Sequence, residues 1–472
     1  MLTRRRFVQG ALAAASLPAV AGGRAGTDLR VALVGLGGRG LELLALLRAR
    51  AGVRVVVLCD VDEQALTQAR AAAGRAEVDV DVDYRHVLER EDVDAVLLST
   101  PDHWHALQTL WALQAGKDVY VEAPLTLTED EGRRVLAAAR SARRVVGSGR
   151  AGPNPVALSW LGEGHLGAVR LVRAVVYSPQ PSLGKTDKNQ RIPDAIDYDL
   201  WCGPATLAPL RRARLHHDWR YRWDTGSGEL GSAGIEMLAA ALHLAGAEAA
   251  PPSVLALGAR LGYADDGETP NCQLVHFGYA SVPIVCELRG LPRDHAAQDG
   301  DWSTAMDDCL GVRRGVVVEA EGGVLRLDAE GARAVDAQGN ELWNMVVERM
   351  PGPRADLEGW LADVEARRVD EALVRLERAR LAALLVQRAG VAQRLAAARE
   401  PDPLREGLQT CAPLCEAAER LLLHLAANEV DTKATPLRLS TRLEYDSAET
   451  CTNDPVAARL ATRVYREPYV LP

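Results

Sequence analysis

The spacing of apolar positions changes character near residue 150. Before that point, short continuous apolar runs alternate with longer stretches in which apolar residues return every three or four positions. That alternation is the mark of buried parallel strands joined by crossover helices. It predicts strands over 30–34, 53–59, 95–100, 118–122 and 144–147, and helices over 38–51, 63–73, 103–115 and 130–141. Beyond residue 150 a period of two takes over, in runs at 168–177, 254–263, 273–279, 282–288 and 315–327. Strands that follow one another without helices predict a mostly antiparallel sheet. A polar, aromatic-rich loop over 180–228 separates the first of these runs from the second, and loops of that length usually carry function. A helix over about 234–244 follows it, and from 356 to 427 alanine, leucine and arginine recur at helical spacing.

The predicted fold class is α/β plus α+β: an N-terminal doubly wound parallel sheet of the Rossmann kind, then a mostly antiparallel open sheet with extra helices. The predicted division is a leader over 1–26, a nucleotide-binding domain over 27–150, a sheet domain for substrate or oligomerisation over 151–350, and a helical segment with C-terminal extension over 351–472. At 472 residues the chain exceeds what one core organises, which agrees with two domains.

Composition narrows the function classes. Apolar residues at 48% and charged residues at 25% describe an ordinary folded protein and exclude long disordered stretches. Acidic residues outnumber basic ones, 64 to 55, for a net charge of −9, so nucleic acid is a poor partner. The eight cysteines show no paired zinc spacing, and no metal site is expected. Cys411 and Cys415 sit at helical spacing and read as packing residues.

The N-terminus changes the expected location. Thr3-Arg4-Arg5-Arg6-Phe7-Val8 precedes an apolar stretch over 8–20 and the small residues Ala19-Val20-Ala21, which resembles a twin-arginine export signal. The stretch is too short to span a bilayer comfortably. Cleavage after Ala21 or Ala25, membrane contact only during export, and a periplasmic or extracellular destination are the expectations. Disulfides are then permitted but optional, because this route carries proteins folded beforehand in a reducing compartment.

Candidate chemistry begins at Gly35-Leu36-Gly37-Gly38-Arg39-Gly40. A G-x-G-x-x-G hexapeptide alone is weak. Here it follows an apolar strand and opens a helix, so Gly35, Gly37 and Gly40 can form the tight turn that brings a helix N-terminus against a pyrophosphate. Asp60 ends the second strand 25 residues after Gly35, where a carboxylate accepts hydrogen bonds from a ribose diol and repels a 2′-phosphate. No arginine follows it directly, so NAD is expected over NADP. Arg39 either approaches the pyrophosphate or stays a solvated helix residue.

Several segments then combine. Ser99-Thr100-Pro101-Asp102-His103-Trp104-His105, Val119-Tyr120-Val121-Glu122-Ala123-Pro124-Leu125, Tyr198-Asp199-Leu200-Trp201-Cys202-Gly203-Pro204, Trp223-Asp224-Thr225-Gly226-Ser227-Gly228-Glu229-Leu230-Gly231 and Arg463-Val464-Tyr465-Arg466-Glu467-Pro468-Tyr469-Val470 stand in that order. Together they resemble exported bacterial members of the glucose-fructose oxidoreductase and inositol dehydrogenase (Gfo/Idh/MocA) family. The resemblance implies a nicotinamide cofactor contacted by Pro101, His105, Glu122 and Pro124, a sugar-like or polyol ligand, and a homo-oligomer formed through the exposed face of the second-domain sheet. It also exposes departures. Where the family carries a lysine beside substrate and nicotinamide this chain has Ala123, and the family's histidine and aspartate positions are matched to Glu236 and Ala239.

Hydride transfer from a carbinol needs a base for the hydroxyl proton and a donor or cation for the developing oxyanion. An alanine supplies neither. The sequence therefore predicts an NAD-binding protein whose sugar or cyclitol dehydrogenase activity is altered or lost. Two alternatives stand beside it. One is an active sugar or polyol oxidoreductase with a relocated base, drawn from Glu236, His243, His216, His217, Asp218 or Tyr221. The other is an NAD-assisted glycoside-cleaving enzyme.

Overall fold

The computed structural model describes residues 28–74, 78–149, 155–346, 353–409 and 411–472, so the expected leader lies outside the described residues. The N-terminal part is a six-stranded sheet of β1 (Leu29–Val34), β2 (Val53–Cys59), β3 (Asp79–Asp81), β4 (Ala95–Leu98), β5 (Asp118–Val121) and β6 (Val146–Ser148). Its order is β3-β2-β1-β4-β5-β6, with every pairing parallel. Valine and leucine runs make these strands because both faces are covered, and Ala32, Leu33, Val96 and Leu97 are fully buried. The crossover helices are α1 (Gly38–Ala49), α2 (Glu63–Ala73), α3 (Tyr84–Glu89), α4 (Asp102–Gln114) and α5 (Glu129–Ala142). Sequence signals fix their ends. Asp62 caps α2 by accepting from the Gln64 amide, and Thr128 with Glu131 forms a capping box at the start of α5.

The strand β3 and helix α3 were not expected, because the acidic Asp79-Val80-Asp81 has no apolar run. Its backbone pairing with β2 makes it a strand. Asp102 is the first residue of α4, and Pro101 occupies the cap position.

The second sheet has eleven strands, built on β7 (Val169–Tyr177), β8 (Ser253–Ala259), β9 (Cys272–Phe277), β10 (Ile284–Arg289), β11 (Arg314–Ala320), β12 (Gly323–Asp328), β13 (Gly331–Asp336) and β14 (Glu341–Val346). It is mostly antiparallel, but β7 and β10 pair in parallel because β7 sits between β10 and β11 in the middle of the sheet. The single run expected over 315–327 is two strands, folded back at Glu321-Gly322. Short strands at Ala397–Ala398, Arg438–Leu439 and Leu443–Glu444 extend the β8 edge, so the segment after residue 351 is not helical alone.

That late segment also binds the two sheets together. Leu357, Trp360 and Leu361 of the helix Pro353–Ala366 bury against Val31, Leu33 and Tyr120 of the first sheet. The long helix Val369–Leu395 packs Leu385 and Ala389 into the core that holds Val172, Ala174 and Val176 of β7. On the opposite face of the second sheet, Leu255, Leu257, Leu274 and Val285 lie under Leu404, Leu408, Leu414 and Leu421. The chain's own helices therefore cover part of the face expected to meet another subunit. Among the described residues that face is open toward β14, where Leu342 and Val346 reach solvent.

Candidate dinucleotide site

The C-terminal ends of β1, β2, β4 and β5 converge on one cleft, where ligands of open parallel sheets bind. Gly35 turns the chain out of β1 with φ +85°, and a Cβ there would stand 2.6 Å from the Ser99 carbonyl carbon. A Cβ on Gly40 would meet the Gly35 carbonyl oxygen at 2.0 Å, whereas one on Gly37 would point into open space. No side chain caps the N-terminus of α1. Its first-turn amides and the positive end of its dipole therefore face the space that Gly37 leaves free.

Asp60 seals this turn. Its Oδ2 accepts from the Leu36 amide at 2.6 Å and its Oδ1 from the Asp62 amide at 2.9 Å. Burial pushes its pKa up, and the two amides pull only partly against that. From here the cleft runs past Val82, Asp83 and Arg85 to a wall of Trp104, Trp111 and Tyr469, about 950 Å³ with its open mouth included. The polar loop supplies the facing side through Trp201, His216, Trp219 and Arg220. A cradle of free amides, a carboxylate at the ribose position and a flat apolar recess suit a dinucleotide.

The expected cofactor residues fall into three groups. Gly35, Gly37, Asp60 and Pro101 line the cleft. Gly40 packs behind it. His105, Glu122 and Pro124 shape its loops instead. His105 is buried, with Nδ1 2.7 Å from the Pro124 carbonyl and Nε2 2.8 Å from the Thr100 carbonyl, so it ties the loop after β4 to the loop after β5. Glu122 accepts from Arg39 Nη2 at 2.8 Å. Arg39 is thus no solvated helix residue: it lines the cleft and is held by Glu122 and Glu42. Burial opposes its charge, but the Glu122 hydrogen bond prevails and its pKa is raised.

Asp102 accepts from Ser227 Oγ at 3.0 Å, joining α4 to the turn that precedes the second-domain helix. That helix, Ile235–Leu244, carries Glu236 half-buried in its first turn. Ala239 and His243 line a separate groove with Arg140 and Leu373, and His243 Nδ1 lies 2.8 Å from its own helix's Ala239 carbonyl. Neither Ala123 nor Glu236 is among the residues lining the dinucleotide cleft. The remaining candidate bases are engaged. His217 meets Asp218 at 3.0 Å, Asp218 also holds Arg214, and the Tyr221 hydroxyl donates to Glu229 at 3.4 Å. His216 does line the cleft, but it pairs with Asp62 at 2.9 Å, on the Asp60 side and not with Glu122.

Sequence reasoning overlooked Arg85, Gln108 and Trp111 in this cleft. Gln108 accepts from Thr100 Oγ1 at 2.6 Å, a helix-to-loop contact that no motif announces. Tyr469 lay inside a quoted motif, yet nothing in the sequence placed it at the nucleotide. All eight cysteines are free thiols.

Comparison with known proteins matches this geometry. Residues 29–150 match the oxidoreductase family's NAD-binding Rossmann fold, and residues 181–278 match that family's C-terminal alpha/beta domain. A glycosyl hydrolase family 109 protein of Saccharopolyspora erythraea is 37% identical over 110 residues, 22% of this chain and 24% of that protein. The aligned part thus spans about a quarter of that relative's length. In fold the chain is similar to GenD2 of gentamicin A biosynthesis, solved with NAD, at 20% identity and TM-score 0.52, covering 75% of this chain and 92% of the other. It is also similar to biliverdin reductase of Synechocystis sp. PCC 6803, solved with biliverdin and NADP+, at 18% identity and TM-score 0.53, covering 76% and 98%. Both cofactors occur among these fold relatives.

Proposed function

We propose that the chain, whose residues 29–150 and 181–278 match the two domains of the Gfo/Idh/MocA oxidoreductase family, binds NAD in the Gly35–Asp60 cleft while its sugar or cyclitol dehydrogenase turnover is altered or lost. The carrying observation is the contrast between the glycine turn and the loop after β5. The cradle at Gly37 is open and the Asp60 carboxylate closes the turn beside it, whereas position 123, next to Glu122, is an alanine. NAD, when bound, supplies a hydride acceptor. The chain's residues must then handle the substrate proton. Ala123 cannot, and Arg39, with its pKa raised beside Glu122, stays charged and offers no base. Loss of one positioned acid or base costs on the order of 10²- to 10⁴-fold in rate.

The second reading is NAD-assisted glycoside cleavage, and the similarity to a glycosyl hydrolase family 109 protein supports it. Such a reaction ends with no net redox change. Export by the twin-arginine route to a periplasmic or extracellular destination, and assembly of copies through the open β11–β14 part of the sheet, complete the proposal.

One experiment separates the readings. Purified protein is titrated with NAD and NADP by calorimetry, then offered a panel of sugars, polyols and aryl glycosides while the nicotinamide absorbance and leaving-group release are followed. NAD binding tighter than NADP, with both signals silent, is the expected result. Substrate-dependent reduction of NAD overturns the loss of turnover, and release without reduction establishes the second reading.

A further inference from the structure

The segment that follows the last helix, Pro455–Leu460, crosses from the second domain to the nucleotide cleft and is fastened along its length. Arg463 Nη2 donates to Asp224 at 2.9 Å, and the Tyr465 hydroxyl donates to Glu131 at 2.9 Å. Arg466 donates from Nη1 to the Asp199 carboxylate at 2.7 Å and from Nε to the Gly203 carbonyl at 2.9 Å. The Tyr469 hydroxyl takes the other Asp199 oxygen at 3.1 Å. This delivers the Tyr469 ring, 3% exposed, edge-on to Trp104 with centroids 5.5 Å apart. Both rings line the nucleotide cleft.

The direction of the cleft assigns what these rings face. A pyrophosphate at the Gly37 cradle and a ribose at Asp60 leave one recess beyond the ribose, lined by Arg85, Trp104, Trp111 and Tyr469. The opposite end leads to Glu122. A flat heteroaromatic base fits an aromatic recess with a guanidinium near it, and the Arg85 guanidinium carbon lies 5.8 Å from the Tyr469 ring centre. We propose that the Arg463–Tyr469 segment is part of the dinucleotide site: Tyr469 closes the wall against which adenine packs, and release of bound nucleotide requires this segment to lift. The inference rests on the reading of the cleft as an NAD site.

The test uses the full chain and ADP-ribose, which carries the adenine half without the nicotinamide, with affinity read by calorimetry and release by competition stopped-flow. Tyr469→Ala is expected to weaken ADP-ribose at least about tenfold, mostly through faster release. Arg466→Gln keeps the ring but loosens its anchor, and should speed release with a smaller loss of affinity. Unfolding curves and the unchanged far-ultraviolet spectrum check that both variants fold. If the unaltered chain binds ADP-ribose and both variants match it within about twofold, the segment has no part in the site. If the unaltered chain binds neither NAD nor ADP-ribose, the cleft reading itself fails.

Discussion

Arg39 reaches from the first turn of α1 to Glu122 at the end of β5, spanning the end of β4, with Nη2 to Oε1 at 2.8 Å. Their side chains are only 23% and 9% exposed. The pair therefore fastens the glycine turn to the loop carrying Ala123. Removing one member leaves the other charge poorly solvated, which costs more than an exposed pair contributes. Arg39→Ala is expected to lower the unfolding free energy by about 2 kcal/mol, and Arg39→Lys by about half of that. Urea denaturation decides: a change in Arg39→Ala below about 0.5 kcal/mol would show that the pair behaves like a surface contact.

Much of this site was legible because the first domain writes its structure locally. Gly35, Gly37, Gly40 and Asp60 lie within one strand–turn–helix and the next strand, so their spacing alone marks the turn. His105 and Glu122 were expected as cofactor contacts from the family resemblance; in the structure His105 meets two loop carbonyls, and Glu122 meets a guanidinium 83 positions earlier. Such long-range pairings leave no trace in apolar periodicity. The same limit explains β3, whose acidic residues are strand only because β2 lies beside them, and Tyr469, whose place depends on Asp199. The orientation of Ala239 and His243 was equally invisible, since it is set by how their helix packs on β7 and on the long helix Val369–Leu395.

His103 gives the fold a pH dependence with a definite sign. It is 1% exposed, with Nε2 3.1 Å from the Trp201 carbonyl and Nδ1 3.4 Å from the Thr225 carbonyl. Desolvation, reinforced by the positive Arg463, lowers its pKa from 6.5 to about 3. Below pH 6.5 the unfolded chain takes up a proton that the folded chain refuses, so stability is complete above that value and is lost as pH falls toward about 3. The full loss from this one group is on the order of 5 kcal/mol. Unfolding free energies measured between pH 7 and pH 4 should fall steeply, and His103→Asn should flatten the slope even though it is less stable at neutral pH. An unchanged slope in the variant would assign the acid sensitivity elsewhere.

Gly40 and Gly37 predict different stability effects from the same substitution. A methyl on Gly40 would meet the Gly35 carbonyl oxygen at 2.0 Å, a contact with backbone that no rotamer relieves. Gly40→Ala must therefore push α1 away from the turn, with an expected destabilisation of about 2–3 kcal/mol and loss of nucleotide binding as a consequence. A methyl on Gly37 meets nothing within 4 Å. Gly37→Ala should fold with nearly unchanged stability, because a residue at φ −64° tolerates a side chain. Its methyl, however, projects into the open space beside the N-terminus of α1, where a pyrophosphate held by the helix amides would have to approach closely. Calorimetry is expected to show NAD affinity reduced at least about tenfold in Gly37→Ala without a matching shift in the thermal midpoint. Should Gly37→Ala bind NAD as tightly as the unaltered chain, the open space beside Gly37 is not where the phosphates lie, and the polarity assigned to the whole cleft is wrong.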